Sequence, residues 1–334
     1  MADPAMANLA GLGAYTPAEA IELVSRAGVK KGNMRPDKIF VSAISAGCLL
    51  SFAAAASLRA TTAPWFQENA PGLVSMVAGL IFPLGLVMIV LTGADLFTGS
   101  NMVRISAYTA VAAFHGRLSL RKMLLHWFLC FWGNLAGALF VMAIIIGYGG
   151  VFDGASYKAR AIEFVTSKQV KPAFHQIFLR AVGCNWLVCL ACYLGLQGKD
   201  LNSKIVAMWW PIFTFVSLGL DHVVANMFYV PLGLWLGTPH LTVGLYIWKG
   251  LIPAGLGNIL GGALFCGVYY YWMFIFREPE INIDGVYYQG KMEEGTLPTQ
   301  SSQESSSRRH LKDVTVDNSR VSSQELKREF HGLP

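Results

Sequence analysis

Three ionisable side chains lie inside apolar sequence, and they are the residues best suited to chemistry. Asp221 and His222 belong to "GLDHVVANM" (219–227), and Asp95 belongs to the similar stretch "TGADLFTGSNM" (92–102). An imidazole titrates at about pH 6.5 in water, so a histidine here is suited to hydrogen bonding or to proton transfer. Buried carboxylates need partners, and we expect Asp95 and Asp221 to accept hydrogen bonds from loop amides or to cap helices.

The sequence that must position these residues is that of an integral membrane protein. The chain has 334 residues, of which 54% are hydrophobic and 14% charged, and its mean hydropathy is +0.45. Its apolar residues form blocks of the length that crosses a bilayer, about 20 residues. The blocks lie near 39–58, 73–92, 123–148, 177–196, 205–220 and 245–276. We therefore predict an all-α protein with six transmembrane helices in a lipid bilayer.

All six cysteines fall inside these apolar blocks, at Cys48, Cys130, Cys184, Cys189, Cys192 and Cys266. Cys184, Cys189 and Cys192 have the spacing of one iron–sulfur pattern. On a helix, however, that spacing points the three thiols in different directions. We expect buried, reduced thiols without a disulfide, a metal site or a cofactor.

The formal net charge of +6 is distributed in a way that predicts the topology. Basic residues cluster before the first block, between the second and third, between the fourth and fifth, and after the last. By the positive-inside rule these clusters mark the cytoplasmic side, which puts both termini in the cytoplasm. The loop at 150–172 is an exception, because four cations would face outward. They are Lys158, Arg160, Lys168 and Lys171.

Composition divides the chain into three regions. Residues 1–37 are predicted to be a cytoplasmic segment with a short amphipathic helix, which begins at the N-cap Thr16 and ends before Gly28. This segment lacks the apolar run of a secretory signal, so we expect the first span to direct insertion. Residues 38–276 form the six-span membrane domain, and residues 277–334 are polar and Ser-rich, which predicts a disordered cytoplasmic tail.

The membrane domain repeats itself. "WGNLAGALF" (132–140) resembles "LGNILGGALF" (256–265), and the two stretches with the aspartates resemble each other in the same order. Each half holds three spans, so the second half must enter the membrane from the opposite side, as in inverted-repeat transporters. We place repeat 1 at about 38–149 and repeat 2 at about 173–276. Both G-x-x-x-G pairs are predicted to pack helices closely, and the adjacent asparagines to hydrogen-bond across the contacts. These residues are Gly133, Gly137, Gly257 and Gly261, with Asn134 and Asn258.

The middle element of each half is predicted to be a broken helix. The second block with its extension covers about 73–113 and the fifth about 205–238, too long for one span and too short for two. Irregular backbone at membrane depth is tolerated where it is buried in protein or lines a cavity. Helix N-termini that meet there would favour an anion, and we interpret His222 as a pore residue. The residues that shape the two breaks are Gly93, Asp95, Asn101, Gly219, Asp221 and Asn226.

Four motifs in order resemble the formate/nitrite transporter family over roughly residues 15–278. "LTGADLFTG" (91–99) and "AVGCNWLVCLA" (181–191) resemble its two signature segments, while "GLDHVVANMFYVP" (219–231) and "IPAGLGNILGG" (252–262) resemble its fifth- and sixth-helix motifs. The resemblance implies a homopentamer with an aquaporin-like protomer and one pore in each protomer. Four asparagines make the chain most similar to the fungal nitrite transporters, which implies a function in nitrate assimilation. They are Asn134, Asn185, Asn226 and Asn258.

The resemblance also implies functions for individual residues. Thr98 matches the tip of the family's omega loop, His222 its central histidine, and Asn185 an asparagine near the pore. The family has a vestibule lysine before the fourth helix, for which we favour Lys168 over Lys171. One constriction is implied by Phe82, Leu86 and Phe215, and the other by Leu96 and Phe97. The family often has Glu before the histidine, where this chain has Asp221, so local hydrogen bonding there is open to change.

We therefore predict a transporter or channel, not an enzyme, for a small monovalent anion in the plasma membrane. Nitrite with a proton is the favoured substrate, crossing as the neutral acid or, at other pH, as the anion through a pore with the central His222. Formate or a larger monocarboxylate such as lactate is the alternative within the same fold. A membrane enzyme lacks a nucleophile, metal cluster or phosphate loop at useful spacing. A neutral-solute channel would need two Asn-Pro-Ala signatures, which are absent from the sequence. No nucleic acid is expected as a partner.

Overall fold

The computed structural model describes residues 13–98, 117–279 and 281–288. Those residues are helical, apart from connecting segments and two isolated β-bridges, Ala14 with Gly198 and Ile283 with Val286. Asn101, the remainder of the first middle element and nearly all of the predicted tail lie outside the described residues. In chain order the helices are α1 Pro17–Gly32, α2 Pro36–Ala60, α3 Pro64–Asn69, α4 Pro71–Ile81, α5 Pro83–Thr92, α6 Leu120–Phe140, α7 Ala155–Val165, α8 Phe174–Gln197, α9 Leu201–Ser217, α10 Val223–Trp235, α11 Val243–Tyr246, α12 Ile252–Gly262 and α13 Tyr269–Phe274. Short π-helical segments extend α6, α7, α11 and α12.

Five helical stretches are long and apolar enough to cross a membrane, which agrees with the predicted class of all-α membrane protein. They are Pro36–Ala60, Pro71–Thr92, Leu120–Gly147, Phe174–Gln197 and Val243–Gly262. The fifth apolar block is divided into α9, of 17 residues, and α10, of 13 residues. Neither is long enough to span alone, because a membrane helix needs about 20 residues.

The first helix, α1, begins as predicted and continues further than predicted. Thr16 is its N-cap, and the Thr16 and Glu19 side chains each accept a hydrogen bond from the other residue's backbone N–H. The expectation that the helix ends before Gly28 is wrong, because α1 runs to Gly32 and is capped by Asn33, whose side chain bonds to the Val29 carbonyl. Gly28 is buried inside the helix and needs no turn.

The segment 150–172, named a loop in the sequence analysis, is largely helical. It contains α7 and a π-helical turn at Thr166–Val170. Ala161 and Val165 lie four residues apart and are both buried, so α7 has an apolar face. Val165 contacts α10 at Gly233, where a Cβ would lie 2.7 Å from Val165 Cγ1. Lys158 and Arg160 therefore lie on a packed helix, and Lys168 lies in the π-helical turn that follows it.

The two G-x-x-x-G pairs lie in two matching helix contacts. Cβ atoms on Gly133 and Gly137 of α6 would overlap α2, at the Ala43 side chain and the Ile44 carbonyl. On α12, the residues Gly257 and Gly261 lie in the same way against the Phe178 and Val182 carbonyls of α8. Small residues let helix backbones approach closely in membranes. Both pairs of helices are thus fixed close to the breaks that they support.

The two breaks begin with the same backbone turn. Gly93 ends α5 with φ 74° and Gly219 follows α9 with φ 69°, in the left-handed region that favours glycine. The next N–H then reaches back five residues, from Ala94 to the Ile89 carbonyl and from Leu220 to the Phe215 carbonyl, both at 3.0 Å. These hydrogen bonds satisfy backbone carbonyls at the helix ends, and the chain turns sharply there. Each loop therefore folds back into the protein.

Candidate functional site

The two breaks meet at a buried hydrogen bond between Thr98 Oγ1 and His222 Nε2. Thr98 is fully buried and His222 is 2% exposed. The contact joins residues 124 positions apart in the chain. A polar side chain from each loop therefore lies at this point, next to the Phe215 ring.

His222 is also the N-cap of α10. Its Nδ1 accepts a hydrogen bond from the Ala225 backbone N–H at 3.0 Å. An imidazole nitrogen that accepts a hydrogen bond carries no proton, so the neutral ring has its proton on Nε2. Nε2–H consequently donates to the Thr98 hydroxyl. The Phe215 ring stacks on the imidazole with centroids 5.9 Å apart and an interplanar angle of 17°.

Both aspartates are paired with lysines, which were not assigned to them from the sequence. Asp95 accepts from Lys31 Nζ of α1 at 2.5 Å, and Asp221 Oδ1 lies 3.2 Å from Lys168 Nζ. Asn226 Nδ2 also donates to Asp221 Oδ1 at 3.3 Å. The expectation that these carboxylates accept hydrogen bonds from loop amides or cap half-helices stays a prediction. Each buried carboxylate is matched by one lysine, which reduces the cost of its burial.

Two asparagines hold the loop backbones. Asn134 donates to the Ala43 carbonyl at 2.7 Å and to the Asp95 carbonyl at 2.9 Å, and it accepts from the Phe97 N–H at 2.7 Å. Asn258 repeats the pattern with Ala181, Asp221 and Val223 at 2.7, 2.9 and 2.8 Å. Both side chains are fully buried. Each asparagine thus bonds across its helix contact, as predicted, and also binds the break in front of it.

A cavity of about 240 Å³ leads to His222, and we call it the Lys168 cavity. Its cations are Lys168 and Arg160, and its walls include Ser57, Thr61, Phe82, Phe164, Phe215 and Tyr229. Phe82 and Phe215 contact edge to face, with centroids 5.8 Å apart, beside the imidazole. The cavity therefore combines positive charge, an aromatic narrowing and a buried hydrogen-bond donor.

The other predicted site residues lie around this centre. Leu86 and Leu96 are buried in the core. Phe97 is 5% exposed and contacts Phe131 of α6 edge to face, at 5.3 Å. Asn185 donates to the Asn258 carbonyl at 2.8 Å, so it connects α8 to α12. Lys171 is exposed and does not belong to the described lining of the cavity.

Two residues of the site were not singled out from the sequence. Lys31 lies 64 positions before Asp95, and only the basic run before the first span drew attention to it. Arg160 was counted among the outward cations but given no function. Its spacing of eight residues from Lys168, with Phe164 between them, was the available signal for a shared helix face. Within the described ranges no group of three metal-binding side chains lies together.

The matching loops, the buried pair and the cavity that leads to it fit a membrane channel or transporter better than an enzyme. The family model described as "Formate/nitrite transporter" matches residues 18–272, and the chain belongs to that family. It is 33% identical to the "Probable formate transporter" of Methanothermobacter thermautotrophicus, over 78% of this chain and 97% of that protein. It is also 33% identical to the "Formate channel FocA" of Haemophilus influenzae, over 77% and 93% of the two chains.

Solved structures agree with this assignment. A "Pentameric formate channel with formate bound" is 30% identical, with a TM-score of 0.64, and the match covers 72% of this chain and 98% of that one. An "FNT family ion channel" is 24% identical with a TM-score of 0.65, and it shows the fold alone. The identification of the family from four sequence motifs is confirmed. The chain is a membrane-spanning member of the formate/nitrite transporter family.

Proposed function

We propose that the protein carries nitrite together with a proton, and that the substrate crosses the narrowest part as the neutral acid. The observation that carries this proposal is the buried Thr98–His222 pair beside Phe82 and Phe215, at the inner end of a cationic cavity. A bare anion loses its hydration there without a full counter-charge, which is costly. Protonation removes that cost.

The proposed sequence of events follows from charge and solvation. Lys168 and Arg160 raise the local anion concentration in the cavity. Transfer toward the aromatic narrowing lowers the dielectric, which raises the proton affinity of the anion. His222 Nε2–H and the Thr98 hydroxyl then supply hydrogen bonds that orient the small acid. The proton comes from solvent in the cavity, because His222 Nδ1 is already occupied by the Ala225 N–H.

Formate is the second candidate substrate, and a specific observation favours it. The relatives with assigned substrates above are named for formate, and one solved structure is described with formate bound. The four asparagines favour nitrite through the resemblance to fungal nitrite transporters. Nitrite and formate are both small planar anions with two oxygens, so the same cavity suits either. A larger monocarboxylate such as lactate has to pass Phe82 and Phe215, which disfavours it.

We also propose a homopentamer in the plasma membrane with one path in each protomer. The pentameric relative supports the oligomeric state. The positive-inside rule supports cytoplasmic termini and puts the Lys168 cavity on the outer face. The matched Asn134 and Asn258 interactions support two inverted three-helix repeats, with a broken second and fifth helix, in an aquaporin-like protomer. The region and repeat boundaries at 37, 149, 173 and 276 remain predictions from the sequence.

Competition in proteoliposomes tests the substrate assignment. The purified protein is reconstituted, and uptake of labelled formate is measured at two pH values against unlabelled nitrite, formate and lactate. We expect nitrite to compete at least as well as formate and lactate to compete poorly, with faster uptake at the lower pH. If formate competes and nitrite does not, the assigned substrate is formate instead of nitrite. Equal competition by lactate would contradict the size limit set by the aromatic pair.

A further inference from the structure

The positive charge of Lys168 is largely matched inside the protein. Its Nζ lies 3.2 Å from Asp221 Oδ1 and donates to the Leu220 carbonyl at 2.9 Å. The Lys168 side chain is 12% exposed and that of Asp221 is fully buried. An ion pair with little exposure is screened weakly by solvent and holds its partners firmly. An anion that enters the cavity therefore meets a lysine already engaged by a carboxylate.

Arg160 is the second cation of the cavity wall, and its charge is held more loosely. Its guanidinium lies 3.2 Å from Glu163 Oε2, but the Glu163 side chain is 63% exposed while that of Arg160 is 16% exposed. Ion pairs with a solvated carboxylate are weak and easily exchanged. Arg160 Nε also lies 3.5 Å from the Thr61 hydroxyl. These contacts engage two of the five N–H donors of the guanidinium within the described part of the chain.

Arg160, Phe164 and Lys168 form one continuous row that leads inward. They are spaced four residues apart, and the two cations lie 5.9 and 6.0 Å from the centroid of the Phe164 ring between them. Thr61 follows α2 as its C-cap and lies at the Arg160 end of this row. At the other end Lys168 bonds to the loop just before His222. An anion bound at Arg160 thus has a second cation next on its way to the imidazole.

We propose that Arg160 is a capture site for a planar monovalent oxyanion at its end of the Lys168 cavity. The Thr61 hydroxyl, which donates to the Leu58 carbonyl at 2.8 Å, accepts from Arg160 Nε and so positions the guanidinium. The inference rests on the proposed transport of such an anion. A guanidinium binds two oxygens of one planar anion through parallel N–H bonds, which a lysine cannot do. Glu163 competes for the same group, so capture is reversible and the anion is released inward to Lys168.

The test compares the concentration dependence of nitrite and formate uptake in proteoliposomes of full-length variants. Removal of one charged hydrogen-bonding site predicts that Arg160→Gln raises KM about five- to tenfold and leaves the maximal rate nearly unchanged. Arg160→Lys restores part of the affinity, because it keeps the charge and loses the bidentate geometry. Glu163→Gln lowers KM, because it removes the competing carboxylate. The matched control is Lys158→Gln, which removes the same charge from an exposed position of α7 outside the described lining.

The outcomes separate this inference from the proposed function. Saturable uptake in the wild type, with Arg160→Gln and Lys158→Gln shifting KM equally, would overturn the capture site and leave transport standing. A lower maximal rate at unchanged KM would also overturn it, because that pattern indicates a structural effect. Absence of saturable uptake of both anions in the wild type would overturn both. If Arg160→Gln does not assemble, Glu163→Gln still decides, since an unchanged or raised KM contradicts the competition.

Discussion

At the scale of single residues, His222 has two tasks that can be separated. Its Nδ1 caps α10 through the Ala225 N–H, and its Nε2 bonds to Thr98 in the opposite loop. The first task is structural and is shared with many N-cap residues. The second brings the polar groups of both breaks to one point in an apolar surrounding. A substitution that keeps the cap and removes the second contact therefore isolates the proposed transport function.

His222→Asn is that substitution. Asparagine is a good N-cap, but its side chain is too short to reach Thr98 from the same backbone position. We expect a pentamer of near wild-type stability with uptake reduced about tenfold, the loss of one hydrogen bond to the substrate. His222→Ala is the comparison variant and should also lose about 1 kcal/mol of stability with the cap. Uptake and thermal unfolding are measured together, and unchanged uptake in both variants would contradict the role of His222.

The pair of Lys168 and Asp221 predicts a second result at this scale. Removal of one partner leaves an unmatched charge beside the membrane core, at a cost of about 3 to 5 kcal/mol. Asp221→Asn should therefore lower the thermal unfolding temperature in detergent strongly. The double variant Lys168→Met with Asp221→Leu should recover stability while uptake stays low, because Lys168 lines the cavity.

An exposed ion pair gives the control for that experiment. Arg35 and Asp37 lie 2.8 Å apart, but their side chains are 74% and 59% exposed. Such surface pairs contribute little to stability. Asp37→Asn should leave the unfolding temperature nearly unchanged. Equal losses in Asp221→Asn and Asp37→Asn would contradict the assignment of a buried, matched pair.

At the scale of elements, the two breaks are kept in place by matching asparagines on α6 and α12. Each side chain donates twice and accepts once, and each connects a helix contact to a loop. The glycines beside them bring the helices close enough for this reach. The loops are therefore supported by neighbouring helices, while their own aspartates bind lysines. This division explains how irregular backbone is tolerated at such depth.

Asn258→Ala tests this support in the second break. The substitution leaves the Val223 N–H and the Asp221 carbonyl buried without their partner, and each such group costs about 1 to 3 kcal/mol. We expect a marked fall in unfolding temperature and in the yield of assembled protein. Asn134→Ala should behave alike. Asn202→Ala at the exposed start of α9 is the control, and a loss as large as that of Asn258→Ala would refute the assignment.

The sequence predicted the positions of the breaks better than the partners of their side chains. Gly93 and Gly219, each two residues before an aspartate, indicated a turn because local backbone preference fixes it. Lys31 and Lys168 were not assigned to the aspartates, since those contacts depend on how α1 and the π-helical turn after α7 pack. The cap by His222 was also missed, because it depends on a side-chain rotamer. Turns set by local sequence can thus be predicted. Contacts between residues 50 or more positions apart can be identified only when the fold is known.

At the scale of the whole molecule, the described surface is too apolar for water. Large side chains such as Phe128, Trp210 and Trp248 are 61%, 60% and 67% exposed on helices long or apolar enough for a membrane. Exposed apolar surface of this extent indicates contact with lipid or with other protomers. The apolar surface therefore agrees with a membrane-spanning protein. The pentameric relative supports the proposal that other protomers cover part of this surface.

Native mass spectrometry in mild detergent tests the proposed assembly. We expect a species of about five times the 36.4 kDa chain mass. When wild-type and His222→Asn chains are mixed in one pentamer, we expect uptake per wild-type protomer to stay unchanged. If each protomer has its own complete path, as proposed, activity falls in proportion to the fraction of variant chains. A monomer or dimer as the stable species would contradict the assembly. A steeper than proportional loss would contradict independent paths.

The central claim is that the anion crosses with its proton. The most direct measurement records nitrite entry and internal acidification together in proteoliposomes, with the pH gradient and the membrane potential set independently. The account predicts one proton for each nitrite, faster uptake when the outside is more acidic, and no response to the membrane potential. Uptake that follows the membrane potential and is indifferent to the pH gradient would show that the bare anion crosses, and it would contradict the account.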